Sequence, residues 1–228
     1  MSGVKGKRGY DSALRRQQAG QTRMRILDSA ERLFAERGYP SSTVDAIAGA
    51  ASVAVDTVYA AFGSKRGVLQ ALLDVRVGGD DARIDLLERP GPKAVQRNPD
   101  QKAQLAAFTA GIGVIMERVG PVDDIIRGAA AVDSEIAAFR SQAQAERYRS
   151  MRQMVSWLGA NGPLRSDMSL DEAAAILWTL TSPEVHRLLR VERGWTVEKY
   201  TDWLFETLSR TMLAEGAAGR RSATIDRA

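Results

Sequence analysis

Residues 42–62 read STVDAIAGAASVAVDTVYAAF, and this stretch decides the fold. Thr43 is a good N-cap, and Val44, Ile47 and Ala48 behind it give a short helix of about two turns. The small residues Gly49 to Ser52 follow, and a second short segment then carries Val55, Val58, Tyr59 and Phe62 before Gly63 ends it. Two short helices joined by a tight turn of small residues make the helix-turn-helix pattern. In that motif the first helix is braced across phosphates, and the N-terminal side chains of the second reach base edges in the major groove. On pattern alone a second reading stands beside it, a pair of short helices packed in a core.

Working outward, Ile26, Leu27, Ala30, Leu33 and Phe34 recur at helical spacing upstream, and Gly38 with Pro40 is a stop signal. Downstream, Ser64 can cap a helix bearing Val68, Leu69, Leu72 and Leu73. Long apolar-periodic segments then predict a helix from Gln101 to Val119, stopped at Gly120-Pro121, and a second from Val122 to Ala131. A long helix capped by Asp133 follows, then one over Leu170–Arg190 kinked at Pro183, and a last one over Val197–Leu213. Nothing has the period of a strand, so the chain reads as all-α. The division this suggests is a flexible basic arm (1–21), a helix-turn-helix domain (22–77), a helical ligand-binding and dimerisation domain (78–215) and a disordered tail (216–228).

The formal net charge of +4 is unevenly spread. Residues 1–77 hold 12 Lys/Arg against 7 Asp/Glu, whereas residues 78–228 hold 20 against 21. A basic terminal region on a near-neutral body points to a polyanion partner, or to a merely solvated tail. Absent cysteine excludes disulfide and thiol chemistry, and a single histidine speaks against a His-cluster metal site. No run of about 18 apolar residues occurs, so neither a membrane span nor a signal peptide is expected, and a cytoplasmic location is the default. No P-loop or nucleophile elbow is present, and Gly111-Ile112-Gly113 lacks the preceding strand of a dinucleotide site. No enzyme and no cofactor are expected.

The run from Arg23 to Leu73 resembles the N-terminal domain of the tetracycline-repressor (TetR) family. The pieces ILDSAERLFAERGY, STVDAIAGAASV and TVYAAFGSKRGVLQAL follow one another at that family's spacing. The resemblance implies a dimeric transcriptional regulator, usually a repressor, released from a palindromic operator when a small molecule enters a helical pocket. It implies that Thr43 meets a phosphate, that Val55, Asp56, Thr57 and Ala60 face the groove, and that Tyr59 and Lys65 reach the DNA backbone. Ile47, Val58 and Phe62 are then the small core between the helices. Arg15 and Arg16 of the basic arm, with Arg23 just beyond it, are expected to reach a minor groove or phosphates. The chain also departs from the family pattern. Ala54 stands where a Ser usually caps the recognition helix, and Ala60 and Ala61 replace larger side chains. Asp56 either accepts from a cytosine amino group or serves as an acidic first-turn residue.

For the body, the resemblance implies a dimer through the final helix pair. Leu188, Trp203, Leu204 and Leu208 are its candidate residues, with monomer core as the competing explanation for part of that stripe. The pocket is expected among the middle helices, lined by Phe108, Ile112, Met116, Met151, Met154, Trp157 and Trp178, with Arg127 as a polar contact. That lining suggests a mainly apolar effector. Gly111 and Gly113 either leave room for it or permit close helix packing. His186 is expected to be polar or interfacial. The alternative function is a helical ligand-binding protein that has lost DNA binding.

Overall fold

The computed structural model describes residues 5–165 and 167–214, with side chains from Gln17 onward. Among them the chain is helical: α1 (Lys5–Arg37), α2 (Val44–Ala51), α3 (Val55–Phe62), α4 (Lys65–Gly78), α5 (Pro90–Arg97), α6 (Gln101–Ala130), α7 (Ser134–Asn161), α8 (Leu170–Leu180), α9 (Pro183–Arg187) and α10 (Val197–Met212). The one extended pairing among the described residues is an antiparallel bridge between Leu164 and Leu213. Two compact units divide the chain, residues 1–89 with 114–146 and residues 90–113 with 147–228. The tail expected to be disordered at 216–228 and the arm's side chains up to Arg16 lie outside the described residues.

The first unit is built on the stripe read from the sequence. Ile26, Leu27, Ala30, Leu33 and Phe34 of α1 are buried with Ile47, Val58, Val68, Leu69 and Leu72. Val122, Ile125, Ile126 and Ala129 of α6 and Ile136 of α7 belong to the same cluster, so the head shares its core with the middle of the chain. Burying each such side chain contributes about 1.5–3 kcal/mol relative to exposure. α1 ends where Gly38 takes a φ of +77°, and the Ser42 hydroxyl then sits 3.1 Å from the Leu33 carbonyl and 2.9 Å from that of Gly38. At its other end α1 begins at Lys5, well upstream of the apolar stripe. The Ala, Leu, Arg and Gln of residues 13–19 are strong helix formers, which favours a helical backbone upstream of that stripe.

Gly120-Pro121 does not end a helix. α6 runs through Pro121 to Ala130. An interior proline forfeits one backbone bond and costs about 3 kcal/mol. Val119, Val122, Ile125 and Ile126 are buried around it, and that burial outweighs the loss. By length and composition α6 is apolar enough to cross a membrane, with mean hydropathy 1.3 over its best window, a property the sequence reading did not anticipate. Its apolar positions here serve as core, as Ile112, Met116 and Val122 show.

In the second unit Leu105, Ile112, Met151, Met154, Val155, Leu158, Leu177, Tyr200, Leu204 and Leu208 are buried. Pro183 is not a kink inside one helix. The helix stops at Leu180, and Ser182 accepts a hydrogen bond from the Val185 N–H at 3.2 Å to cap a new one with Pro183 in its first turn. A π-helical turn over Leu188–Glu192 follows. Gly113 is a close-packing glycine, since a Cβ there would lie 2.5 Å from Thr201 Cγ2. Around Gly111 a Cβ would meet nothing within 4 Å.

Candidate nucleic-acid interface

The site begins with the caps that fix each short helix. Thr43 Oγ1 accepts from the Ala46 N–H at 3.1 Å, and Ser64 Oγ accepts from the Gly67 N–H at 3.0 Å. A Cβ at Gly67 would meet the Phe62 carbonyl oxygen at 1.9 Å, so that first turn of α4 approaches α3 as closely as glycine allows. Between α2 and α3, Ser52 takes the left-handed conformation (φ 54°, ψ 51°). The Val53 N–H returns to the Ala48 carbonyl at 3.0 Å, and the chain turns by 107°. That angle lies inside the range of about 90–120° for a helix-turn-helix.

α3 starts without help from a side chain. Ala54 occupies its N-cap with extended backbone (φ −70°, ψ 148°) and makes no side-chain cap bond. Asp56 stands in the first turn, where a carboxylate favours the positive end of the helix dipole. Val58 is buried, whereas Asp56, Thr57, Ala60 and Ala61 are exposed and Tyr59 keeps 48% of its surface. Val55 is half-buried and joins the core beside Phe62. The outward face of α3 thus carries Asp56, Thr57, Tyr59 and Ala60, with Thr43 exposed at the start of α2.

Two basic residues expected at the DNA are committed within the protein. Lys65 Nζ donates to two carbonyls of the α1–α2 loop, that of Tyr39 at 2.8 Å and that of Pro40 at 3.3 Å. It also sits 4.3 Å above the Tyr39 ring. Burial lowers its pKa from the ordinary lysine value. One of its three N–H donors is left for a phosphate. Arg23 Nε donates to Asp81 at 2.7 Å and Nη1 to the Ala61 carbonyl at 3.1 Å, with the guanidinium 4.3 Å over the Phe62 ring. It therefore ties α1 to the C-terminal end of α3. Arg15 and Arg16 lie on α1, and their side chains are outside the described residues.

The sequence reading missed the contacts that fasten the end of α4. Arg118 donates to the Arg76 and Val77 carbonyls at 2.9 and 3.2 Å, and Arg76 itself pairs with Glu31 and Asp28 of α1. Arg89 donates to the Gly78 carbonyl at 3.0 Å, to Asp80 at 2.9 Å and to the Ala82 carbonyl at 2.8 Å. The Ala82 N–H and Arg89 together hold the Asp80 carboxyl below its ordinary pKa. These cations gather at a helix C-terminus, where carbonyls lack partners. Nothing in the local sequence pairs Arg118 with α4.

In the body, Ile112, Met116, Met151 and Met154 are buried, and Phe108, Trp157 and Trp178 are half-buried. Arg127 does not serve an interior: it is exposed and paired with Asp124 on its own helix. Leu204 and Leu208 are fully buried inside one chain, so they are monomer core and cannot meet a partner. Trp203 is half-buried against Trp195 and Tyr200, with ring centroids 6.0 and 6.2 Å away. Leu188 remains 46% exposed on the π-helical turn, beside Val191 at 72%. His186 is buried, edge-on to Tyr200 at 5.1 Å, rather than at the surface.

Comparison with known proteins agrees with this geometry. Residues 26–72 match the model of the bacterial regulatory proteins of the tetR family. Over 59 residues the chain is 44% identical to an uncharacterised HTH-type transcriptional regulator, TtgW of Pseudomonas putida, an alignment covering 26% of this chain and 44% of that protein. The chain thus spans less than half the length of this relative. NalD of Pseudomonas aeruginosa, the secondary repressor of the MexAB-OprM multidrug efflux pump, shares the fold with a TM-score of 0.65 at 20% identity, over 86% of this chain and 97% of its own. The transcriptional regulator FadR of Bacillus subtilis, solved in complex with stearoyl-CoA, gives 0.64 at 18% identity, over 81% and 96%.

Proposed function

From the tetR-family module at residues 26–72 we infer that this chain is a DNA-binding transcriptional regulator of the cytoplasm, working as a homodimer on a palindromic operator and released by a small molecule. The observation that carries the reading is the pair α2–α3. It turns by 107°, is held by the Thr43 cap, and presents Asp56, Thr57, Tyr59 and Ala60 outward at the start of the second helix. Repression is the favoured mode because NalD, which shares the fold, is a repressor. A mainly apolar effector suits a body whose buried residues include Ile112, Met116, Met151 and Met154. Leu188 and Trp203 are the residues left to meet a second copy.

Few long donors stand on α3, so base readout leans on Thr57, methyl contacts and DNA shape. The basic residues near the N-terminus then supply affinity. A helix about 10–12 Å across does not enter a minor groove about 6 Å wide. Since the backbone is helical from Lys5, Arg15 and Arg16 are assigned to phosphates instead.

The test is selection of a preferred operator from random duplex DNA, followed by mobility shift across salt concentrations. A palindromic site with a salt-sensitive, sequence-specific shift is expected, and deletion of residues 1–20 should weaken it and flatten its salt slope. Recovery of no preferred sequence would favour a helical ligand-binding protein, a reading to which the uncapped start of α3 and its lack of cationic side chains lend support.

A further inference from the structure

The polar side chains on the outward face of α3 are not chemically alike. Asp56, Thr57 and Tyr59 are exposed there, with Ala60 and Ala61 beside them. The hydroxyls of Thr57 and Tyr59 can donate or accept, so they fit either kind of base edge. An ionised carboxylate only accepts. Asp56 is therefore the side chain on this face that must discriminate.

Acids at other helix starts show what a purely local duty looks like. Glu172, in the first turn of α8, accepts from the Ser169 N–H at 2.8 Å and from its hydroxyl at 2.7 Å, closing a capping box. Asp133 accepts from the N–H groups of Glu135 and Ile136 at 2.9 and 3.2 Å. Among the described residues, no group holds the Asp56 carboxylate in that way. The cations around α3 are committed elsewhere. Arg23, over Phe62, is held by Asp81 and the Ala61 carbonyl, Lys65 by the carbonyls of Tyr39 and Pro40, and Arg66 by Glu135 at 2.9 Å. The helix dipole still favours a charge at this position, but an exposed site leaves that contribution small.

The carboxylate is also well aimed. In a helix each Cα–Cβ bond tilts toward the N-terminus, and Asp56 is the second residue of α3, at the end that reaches base edges in this motif. Ala54 before it and Ala60 one turn after it both stop at Cβ and leave it room. In the major groove guanine shows only acceptors and thymine an acceptor and a methyl, so both reject a carboxylate. The donors there are the amino groups of cytosine N4 and adenine N6. Adenine N6 stands beside its own N7 acceptor, whereas cytosine N4 stands beside a C–H, so cytosine is the better fit.

The geometry points to Asp56 as the residue that sets one position of the operator, by accepting a hydrogen bond from the N4 amino group of a cytosine in each half-site. This deepens the regulator reading and rests on it. The same carboxylate repels phosphates, so it weakens binding wherever the cytosine is missing, and part of the specificity comes from that rejection.

The experiment is selection from random duplex DNA with the full chain, Asp56→Asn and Asp56→Ala in parallel. The parent should select cytosine at one position of each half-site. Asp56→Asn should change that position to adenine, whose N6 and N7 suit a side-chain amide, and Asp56→Ala should leave it without preference. The other positions should keep their bases. In mobility shifts, exchanging that C·G pair for T·A should weaken the parent about tenfold or more, and Asp56→Ala less than about twofold. Both variants should hold random duplex more tightly than the parent, since a charge facing the phosphates is gone. The same selected sequence from all three chains, or adenine rather than cytosine in the parent, would overturn the contact and leave the regulator reading standing. A parent that selects no sequence would overturn both.

Discussion

Arg23 separates two roles that look alike in a sequence, a contact to DNA and a brace beneath the contact. Arg23→Met keeps the stem that lies against Phe62 and removes the cation. Lost with it are the Asp81 pair at 2.7 Å, the bond to the Ala61 carbonyl at 3.1 Å and the stacking at 4.3 Å. A charge-assisted hydrogen bond contributes about 1.5–3 kcal/mol and a partly desolvated cation–π contact about 0.5–2. The two partners keep 23% and 26% of their side-chain surface, so solvent screening moves the sum toward its lower end. The variant should lose about 2 kcal/mol, read as a lower midpoint in urea at an unchanged slope. Asp81→Asn should lose a similar amount. On the selected operator, affinity should fall because α3 is less firmly presented, while the salt slope stays at the wild-type value. A phosphate contact behaves oppositely, since each one removed flattens the slope by about 0.9. A flattened slope with an unmoved urea midpoint would show that Arg23 works at the DNA and that the brace is wrong.

Ala54→Ser should stabilise the head by about 1 kcal/mol, because the residue already has N-cap backbone geometry and lacks only the acceptor; thermal melting reads it, and a lower midpoint would contradict the geometry. Leu204→Ala should cost about 2–5 kcal/mol in denaturant as a core cavity, whereas Leu188→Asp should leave folding nearly unchanged and lower the oligomeric state in sedimentation. The reverse pattern would return Leu204 to an interface. Burial raises the Tyr39 phenol to about 12, so its contribution is intact below pH 10 and is lost as pH climbs through 12. Tyr39→Phe should therefore show a shallower drop in melting temperature between pH 9 and 12 than the parent chain, and parallel curves would show that Tyr39 is not the group responsible.

Much of the fold was legible because it rests on local chemistry. Thr43, Ser64 and Asp133 cap the helices they were expected to cap, and the apolar stripe of α1 is buried as its period requires. The absence of an N-cap side chain at Ala54 was equally visible. Proline misled twice. At Pro121 tertiary burial outweighed the missing backbone bond, and at Pro183 a preceding serine turned a suspected kink into a helix start. The stripe of α10 had two readings from the outset, and full burial decided Leu204 and Leu208 for the core.

The sequence by itself determined the helix-turn-helix, since capping and turn residues act over three or four positions and need no distant partner. Only the tertiary structure decided what the charges do. Arg23 and Lys65 belong to a basic head in any sequence count, yet they meet Asp81, Phe62 and the Tyr39 carbonyl across separations of 58, 39 and 26 residues. An arginine can pair with any carboxylate or carbonyl that folding brings within reach, and no local pattern names which one.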